Sequence, residues 1–384
     1  MRIRLKDAFD LQMGKTPARN TPSYWDGDHK WISIADIGSA GKYIATTKER
    51  ITDKAITESG IRAVPAHTVI MSFKLSIGKT AITSEEMYTN EAIMAFISNG
   101  TYAIDTDYLY HLCCGTAWTE GTNKAVMGLT LNKATLSKKR ISLPEITEQR
   151  NIAAKFDALD NVIEKTQSEL SSLDQLVKSR FVEMFGTYPN NPMKWETGRI
   201  RDIVEDVRYG SSRPAVEGGK YPYLRMNNIT YGGELDLTDT KHIDVPESEL
   251  EKCTVRRGDV LFNRTNSKEL VGKTCVYNRD EMMVLAGFVI RVRVTERVLP
   301  EFLSAFLNTD FSKQMLLGMC KAAIGQANIN AQELQDIGLY LPPVELQYQF
   351  VRFKAEVDKS KLAVKQSLEK LETLKKTLMQ QYFG

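Results

Sequence analysis

The chain lacks most of what an enzyme of its size would show. Its five cysteines (Cys113, Cys114, Cys253, Cys275 and Cys320) are odd in number and form no C-x-x-C pair. They read as thiols in a reducing compartment, not as a disulfide frame or a metal site. The four histidines (His29, His67, His111 and His242) are scattered, without ligand spacing. No glycine-rich dinucleotide fingerprint occurs. Gly78-Lys79-Thr80 and Gly272-Lys273-Thr274 resemble the end of a phosphate-binding loop, but the glycine required five residues upstream is Phe73 in one and Ser267 in the other. Asn191-Pro192-Met193 is an incomplete copy of the Asn-Pro-Pro-aromatic signature of adenine methyltransferases. These absences leave no catalytic residue, metal or cofactor to assign. No signal peptide opens the sequence and no 18-residue apolar run crosses it, so the expected location is cytoplasmic, away from any membrane. The net charge of +3 is too small to indicate a nucleic-acid partner by itself.

What is present is a repeat. At 384 residues, with 42% apolar and 26% charged side chains, the chain has the composition of a globular protein of more than one domain. Shifted by 198 residues, 339–384 lies over 141–186 without a gap, and ten of the 46 positions are identical. They include Leu143/Leu341, Pro144/Pro342, Gln149/Gln347, Phe185/Phe383 and Gly186/Gly384. Such a repeat fixes the architecture before any local feature does.

Each copy predicts one long helix. In the first, Ile152, Phe156, Leu159, Ile163, Thr166, Leu170, Leu173, Val177, Arg180 and Met184 form a heptad seam. The second seam holds Phe350, Val357, Val364, Leu368, Leu371 and Leu378, with Lys354, Lys361 and Lys375 intruding. Those lysines can lay their methylenes on apolar surface while the ammonium stays wet. Proline precedes each helix, and Phe-Gly ends each, as suits a left-handed residue after a helix C-terminus. Residues 148–186 carry a net charge of −2 and residues 346–384 a net +4, which favours packing of one helix on the other.

The intervening stretches, 1–140 and 187–338, also resemble each other. Met13-Gly14-Lys15-Thr16-Pro17 answers to Tyr209-Gly210-Ser211-Ser212-Arg213-Pro214, and Val69–Phe73 to Val260–Arg264, each leading to Gly-Lys-Thr. Short β-rich runs broken by Gly, Pro and Asn predict a mixed globule around a strongly bent sheet in each. The expected class is therefore α+β: two mixed α/β globules (1–140 and 187–338) separated by two long antiparallel coiled-coil helices (in 141–186 and 339–384), with an internal pseudo-twofold repeat.

Positive charge gathers in one loop of each globule. Residues 61–80 hold Arg62, Lys74 and Lys79 and no acid; residues 256–273 hold five cations against two acids. Each is thus +3, the pattern that follows phosphates and weakens with salt. Asn and Arg beside such loops have the chemistry to read adenine and guanine. In the second globule these are Arg213, Arg225, Asn227, Asn228, Asn263, Arg264, Asn266, Lys268 and Lys273. In the first they are Lys15, Ser33, Asp36, Ser72, Lys74 and Lys79. The scaffolds agree while these positions diverge, as expected if each globule reads a different sequence.

With these features in this order, the chain resembles the specificity (S) subunits of type I restriction-modification systems over its whole length. The carriers are the Leu-Pro-x-x-x-x-Gln entry at Leu143–Gln149 and Leu341–Gln347, the repeated helices ending in Phe-Gly, and Val-x-x-Gly-Asp-Val-Leu-Phe at Val255–Phe262. Globule one has Val64-Pro65-Ala66-His67-Thr68-Val69-Ile70-Met71 there instead. The resemblance implies a non-catalytic reader of double-stranded DNA. Two target-recognition domains would read the halves of a split asymmetric target, and the spacer helices would set the distance between them. DNA methyltransferase (M) subunits would dock on the frame, and a restriction/translocase (R) subunit would join for cleavage. The alternatives are a coiled-coil interaction scaffold without DNA binding, which a salt-sensitive gel shift separates, and a self-contained modification enzyme, which an activity assay separates.

Overall fold

The computed structural model describes residues 1–74, 76–118, 131–267, 270–320 and 327–384. It divides into two compact units, residues 1–167 with 366–384, and residues 168–365. The two long helices, Ile146–Phe185 and Val344–Phe383, are 40 residues each, about 60 Å of helix at 1.5 Å per residue. Both run through both units, so each unit holds one half of each helix. Every seam position named above is buried or half-buried.

The halves pack antiparallel within each unit. In the first, Lys155 meets Tyr382 and Asp160 meets Lys375; in the second, Asp174 meets Lys361, while Phe181 and Phe185 meet Phe350. The lysines that break the second seam are thus partly explained by ion pairs. Lys375 reaches Asp160 at 2.5 Å, and Lys361, only 7% exposed, reaches Asp174 at 2.5 Å and also Glu234. Lys361 and Lys365 hold the Glu234 carboxyl down at about 2 despite its burial. Lys354 pairs along its own helix with Asp358.

The strands of each globule divide between two small sheets, where the sequence suggested one bent sheet. In the first unit a five-stranded sheet runs in the order Phe9–Met13, Ile93–Ser98, Val69–Ser72, Thr80–Thr83, Tyr43–Ile44, and a three-stranded one in the order Glu49–Ile51, Trp25–Ile32, Tyr88–Thr89. The second unit has two four-stranded sheets in their place, in the orders Val204–Tyr209, Val289–Val294, Val260–Asn263, Thr274–Val276, and Lys241–Ile243, Tyr221–Leu224, Met283–Leu285, Thr254–Val255. A two-stranded ribbon joins each globule to the start of a long helix: Arg2–Arg4 with Arg140–Ser142, and Glu196–Arg199 with Gly338–Leu341. The central strands are mainly apolar because both faces are covered, and the polar groups Ser72, Asn263 and Arg291 on them are buried as well. Val69, Met71, Met94 and Phe96 face the core shared with the long helices, while Ile70, Ala81, Ile93 and Ala95 face a second core with Ile32, Ile37 and Ile44. Val260 and Phe262 against Leu261 and Val289 divide in the same way.

The Leu-Pro-x-x-x-x-Gln entry joins globule to helix. Gln149 is 1% exposed and Gln347 0%. Gln149 Oε1 accepts from Asp105 N at 2.9 Å, and its Nε2 donates to Ala103 O and Pro144 O. Gln347 repeats all three bonds with Leu299 N, Arg297 O and Pro342 O. Gly186 takes a φ of +83°, as its place after the helix requires.

The variant run at 64–71 keeps the turn of its counterpart. His67 N donates to Thr83 O as Gly258 N donates to Tyr277 O, and His67 adopts φ +58° where Gly258 has +91°. The Gly-Lys-Thr tripeptides are turns as well. Gly78 and Gly272, both at positive φ, donate to the carbonyls of Ser72 and Asn263, and each threonine hydroxyl returns to its glycine carbonyl. Asn191-Pro192 is also a turn: the Asn191 amide bonds the Trp195 backbone, and Pro192 packs on Gly186.

One ionisable cluster joins the first globule to the first helix. His111, 1% exposed, stacks on Phe156 with ring centroids 5.2 Å apart and lies 2.8 Å from Asp157 Oδ1, which also pairs with Lys42 at 2.6 Å. Burial pushes the His111 imidazole below its ordinary value, outweighing the pull of Asp157. Burial works against the Asp157 carboxylate, yet hydrogen bonds from Lys42 and His111 leave it below the usual range. An unfolded histidine takes its proton near pH 6.5 and the buried one only at lower pH, so stability is full above about 6.5 and declines as pH falls. Tm should therefore drop between about pH 7.5 and 5.5 in the native chain, and His111→Gln should flatten that drop. A flat native profile would contradict the assignment.

Candidate nucleic-acid interface

In the second unit, three strands end together. Tyr209 and Phe262 both pair with Ile290, and Asn263 pairs with Val289. Beyond these ends the chain exposes Tyr209 (43%) and Phe288 (53%) and places Arg264 between them. The Arg264 backbone N donates to Phe288 O at 3.0 Å, and its guanidinium carbon lies 4.8 Å from the centre of the Tyr209 ring. Tyr209 is itself held, its hydroxyl accepting from Ala331 N at 2.8 Å. Arg264 makes no ion pair among the described residues, unlike most arginines around it. Arg208 holds Asp206, Arg213 holds Glu249, Arg225 holds Asp239 and Arg257 holds Asp280. Next to it, Thr265–Asn266 pairs with Ala327–Asn328, and the Thr265 hydroxyl meets the Asn328 amide oxygen at 2.9 Å.

The same strand ends in the first unit carry Met13 (45% exposed) and Phe73. Phe73 N donates to Ala92 O and Leu131 N to Phe73 O, as Arg264 N does to Phe288 O and Ile329 N to Arg264 O. Phe73 therefore stands where the second unit has Arg264. The cation is supplied by the next residue, Lys74, whose ammonium lies 5.3 Å from the Phe73 ring centre. After the neighbouring strand, Lys15 N bonds Thr89 O as Ser211 N bonds Leu285 O; Gly14 and Gly210 precede them where the crossing backbone leaves no room for a Cβ.

The residues singled out from sequence separate into two groups. Arg264, Asn266, Lys74, Lys79, Lys15 and Asn227 are exposed or half-exposed. Lys15 directs its ammonium to Ser59 O, and Asn266 its amide oxygen to Ser267 N. Arg213 is exposed but held in a two-point pair by Glu249, and Arg225 is held by Asp239. The others are occupied inside the fold. Ser33 and Asp36 form a capping box, with Asp36 4% exposed. Ser72 is buried and accepts from Lys79 N at 3.0 Å. Asn228 is 2% exposed and bonds Arg225 N, Asp236 O and Asp239 O. Lys273 is 7% exposed and donates to Met226 O at 3.0 Å, and burial pushes its pKa down. Asn263 is fully buried, and its amide has no partner among the described residues. Lys268 lies outside the described residues. Charge and polarity made these positions candidates; only the capping spacing of Ser33/Asp36 and Arg225/Asn228 could have marked some as structural.

Several groups near these surfaces were not apparent from sequence. Tyr209 reads only as the start of a turn, and the sequence does not single out Phe288. Arg19 lies 4.0 Å from the Trp25 ring centre and 4.9 Å from that of Trp31. Lys313 donates to Gly272 O at 2.6 Å and is pushed down to about 7 by burial and by Lys178 and Lys273. Among the described residues no cluster could hold a metal ion, and no helix is long and apolar enough to cross a membrane.

Comparison with known proteins agrees with this repeat. The profile of the type I restriction modification DNA specificity domain matches residues 1–174 and 192–374. The MjaIX specificity subunit of Methanocaldococcus jannaschii is 27% identical over 260 residues, 62% of this chain and 59% of that protein. The EcoKI specificity subunit of Escherichia coli is 27% identical over 228 residues, 55% of this chain and 49% of that protein. The chain thus aligns with about half the length of these relatives. A solved structure of a type I R-M system shares the fold at a TM-score of 0.64 and 18% identity, covering 100% of this chain and 97% of that one. The S subunit of Mycoplasma genitalium does so at 0.51 and 14%, covering 100% and 96%. With two matched regions spanning most of the sequence, each holding the same globule and long-helix fold, the chain belongs to the family of type I restriction modification DNA specificity domains.

Proposed function

We propose that the chain is the DNA-reading subunit of a type I restriction-modification complex, each globule reading one half of a split target in double-stranded DNA. The observation that carries this is the pair of strand-end surfaces. They are built on the same backbone bonds, but one exposes Tyr209 and Phe288 with Arg264 half-exposed between them, whereas the other exposes Met13, half-exposes Lys74 and buries Phe73 and Ala92. A shared scaffold with different exposed chemistry is what two different half-sites require. The target-recognition domains are 1–140 and 187–338. The spacer helices in 141–186 and 339–384 set the gap between half-sites and offer the frame for methyltransferase and translocase subunits. The chain itself carries no catalysis and works in the cytoplasm.

The test lengthens the ruler. Inserting four residues after Leu170 adds about 6 Å and about one helical turn, so the seam keeps nearly the same facing. At roughly 3.4 Å per base pair, the unread gap should widen by nearly two base pairs while both half-sites stay the same. Sequencing the methylome of cells expressing the insertion variant with its partner subunits decides it. Activity on the original gap, or altered half-sites, contradicts the proposal.

A further inference from the structure

Two of the four tryptophans hold one loop of the first unit. Trp31, 1% exposed, donates its indole N–H to Lys15 O at 3.1 Å, and Trp25 donates its own to Ala18 O at 3.2 Å. The two rings meet edge to face with centroids 5.3 Å apart. The loop 15–19 is thereby fixed by two of its carbonyls. Arg19 lies on the rings that fix it, 4.0 Å from the centre of Trp25 and 4.9 Å from that of Trp31. A guanidinium over an indole face is drawn to the ring quadrupole and held in one orientation. The loop also adjoins the strand-end surface. Lys15 N bonds Thr89 O, the Thr16 hydroxyl bonds the Glu91 carboxylate, and Ala92 O accepts from Phe73 N, the residue before Lys74.

The way Arg19 is paired leaves one edge of it open. Glu49 accepts from Nη1 and, at 3.0 Å, from Nη2, so it occupies the far end of the guanidinium. Nε–H and the second N–H of Nη2 form the side edge, a parallel fork of two donors. Nε has no hydrogen-bond partner among the described residues, and the side chain is 53% exposed. Arg213, on the corresponding loop of the second unit, does the opposite: both Nε and Nη2 go to Glu249, which closes the side edge. Arg257 gives the same edge to Asp280.

We propose that Arg19 reads guanine in the half-site of the first globule through its Nε/Nη2 edge, with Glu49 as the positioning residue that holds the fork. The inference rests on the DNA-reading function proposed above, and supplies the base reader that the first globule lacks at Phe73. The open edge matches O6 and N7 of guanine in the major groove. A merely structural pair, tying the loop to the strand Glu49–Ile51, would hold the fold without distinguishing bases.

The experiment assembles the full chain with its partner subunits and measures binding to duplex libraries in which one half-site at a time is randomised. Arg19→Ala should lower affinity for the native target roughly 10- to 100-fold and abolish the guanine preference at one position. That position should lie in the half-site that Arg264→Ala leaves untouched. Arg19→Lys keeps the charge without the fork and should lose the same preference. Glu49→Gln replaces one acceptor oxygen by an amide, and should weaken the preference without changing which base is preferred. Tm should be unchanged in all three variants. If the native complex prefers a split sequence and Arg19→Ala keeps every base preference, weakens all sequences alike, or acts on the half-site that Arg264→Ala affects, the assignment is overturned while the DNA-reading function stands. If the native complex prefers no sequence, that function falls and the assignment with it.

Discussion

Replacing Gln347 by alanine should lower the unfolding free energy of the second unit by about 3–5 kcal/mol, since each buried polar group left unpaired costs about 1–3 kcal/mol. The Gln347 side chain is wholly buried and makes three bonds: from Leu299 N at 2.8 Å, and to Arg297 O at 3.2 Å and Pro342 O at 2.8 Å. Truncation orphans one N–H and two carbonyls where water does not reach. Gln347→Glu separates packing from hydrogen bonding: it keeps the size and the acceptor for Leu299 but turns a carboxylate on two carbonyls. It should also destabilise, and recover partly at acid pH as the carboxyl gains a proton that it can donate. Gln149→Ala should show the same loss in the first unit, because Asp105 N, Ala103 O and Pro144 O repeat the arrangement. Urea denaturation, with amide exchange at Leu299 and Asp105 as local reporters, measures both. A loss under about 1 kcal/mol would mean that the glutamines only accompany the helix start.

These glutamines also show why the frame was legible in the sequence. A residue with three fixed partners must recur at a fixed spacing, and so must a heptad seam; each survives as identity at one offset. Local chemistry decides the rest. Asn228 and Asn227 are neighbours of one residue type, yet one is buried in three hydrogen bonds and the other is exposed. Lys79 and Lys273 occupy the same tripeptide, yet Lys273 turns inward to Met226 and Lys79 does not. Only the capping spacing that puts Asn228 three residues after Arg225 hints at the first difference, and nothing in sequence separates the two lysines, because burial depends on strands that arrive from elsewhere in the chain. Tyr209 was missed for the converse reason: the Tyr-Gly-Ser-Ser-Arg-Pro run marks a turn but does not say that the strand before it ends beneath an arginine.

Arg264 is where that ending has its largest expected effect on recognition. Its guanidinium is held over Tyr209 at 4.8 Å, its buried Nε has no hydrogen-bond partner, and it makes no ion pair among the described residues. A planar fork with two free donors matches the O6 and N7 of guanine, and one such pair discriminates by about 1–3 kcal/mol, roughly 10- to 100-fold. Arg264→Ala should therefore weaken binding to the target by that factor and abolish the preference for guanine at one position of one half-site. Arg264→Lys keeps the charge but loses the fork and much of the stacking. It should retain the salt dependence while losing the same base preference. Lys74→Ala should behave differently, weakening all sequences alike and reducing the log–log salt slope by about 0.9, as for a lost phosphate contact. Binding of each variant, assembled with its partner subunits, to a duplex library at two salt concentrations separates these outcomes. If Arg264→Lys keeps the native base preference, or Arg264→Ala lowers every sequence equally, Arg264 holds the backbone and another residue reads the base.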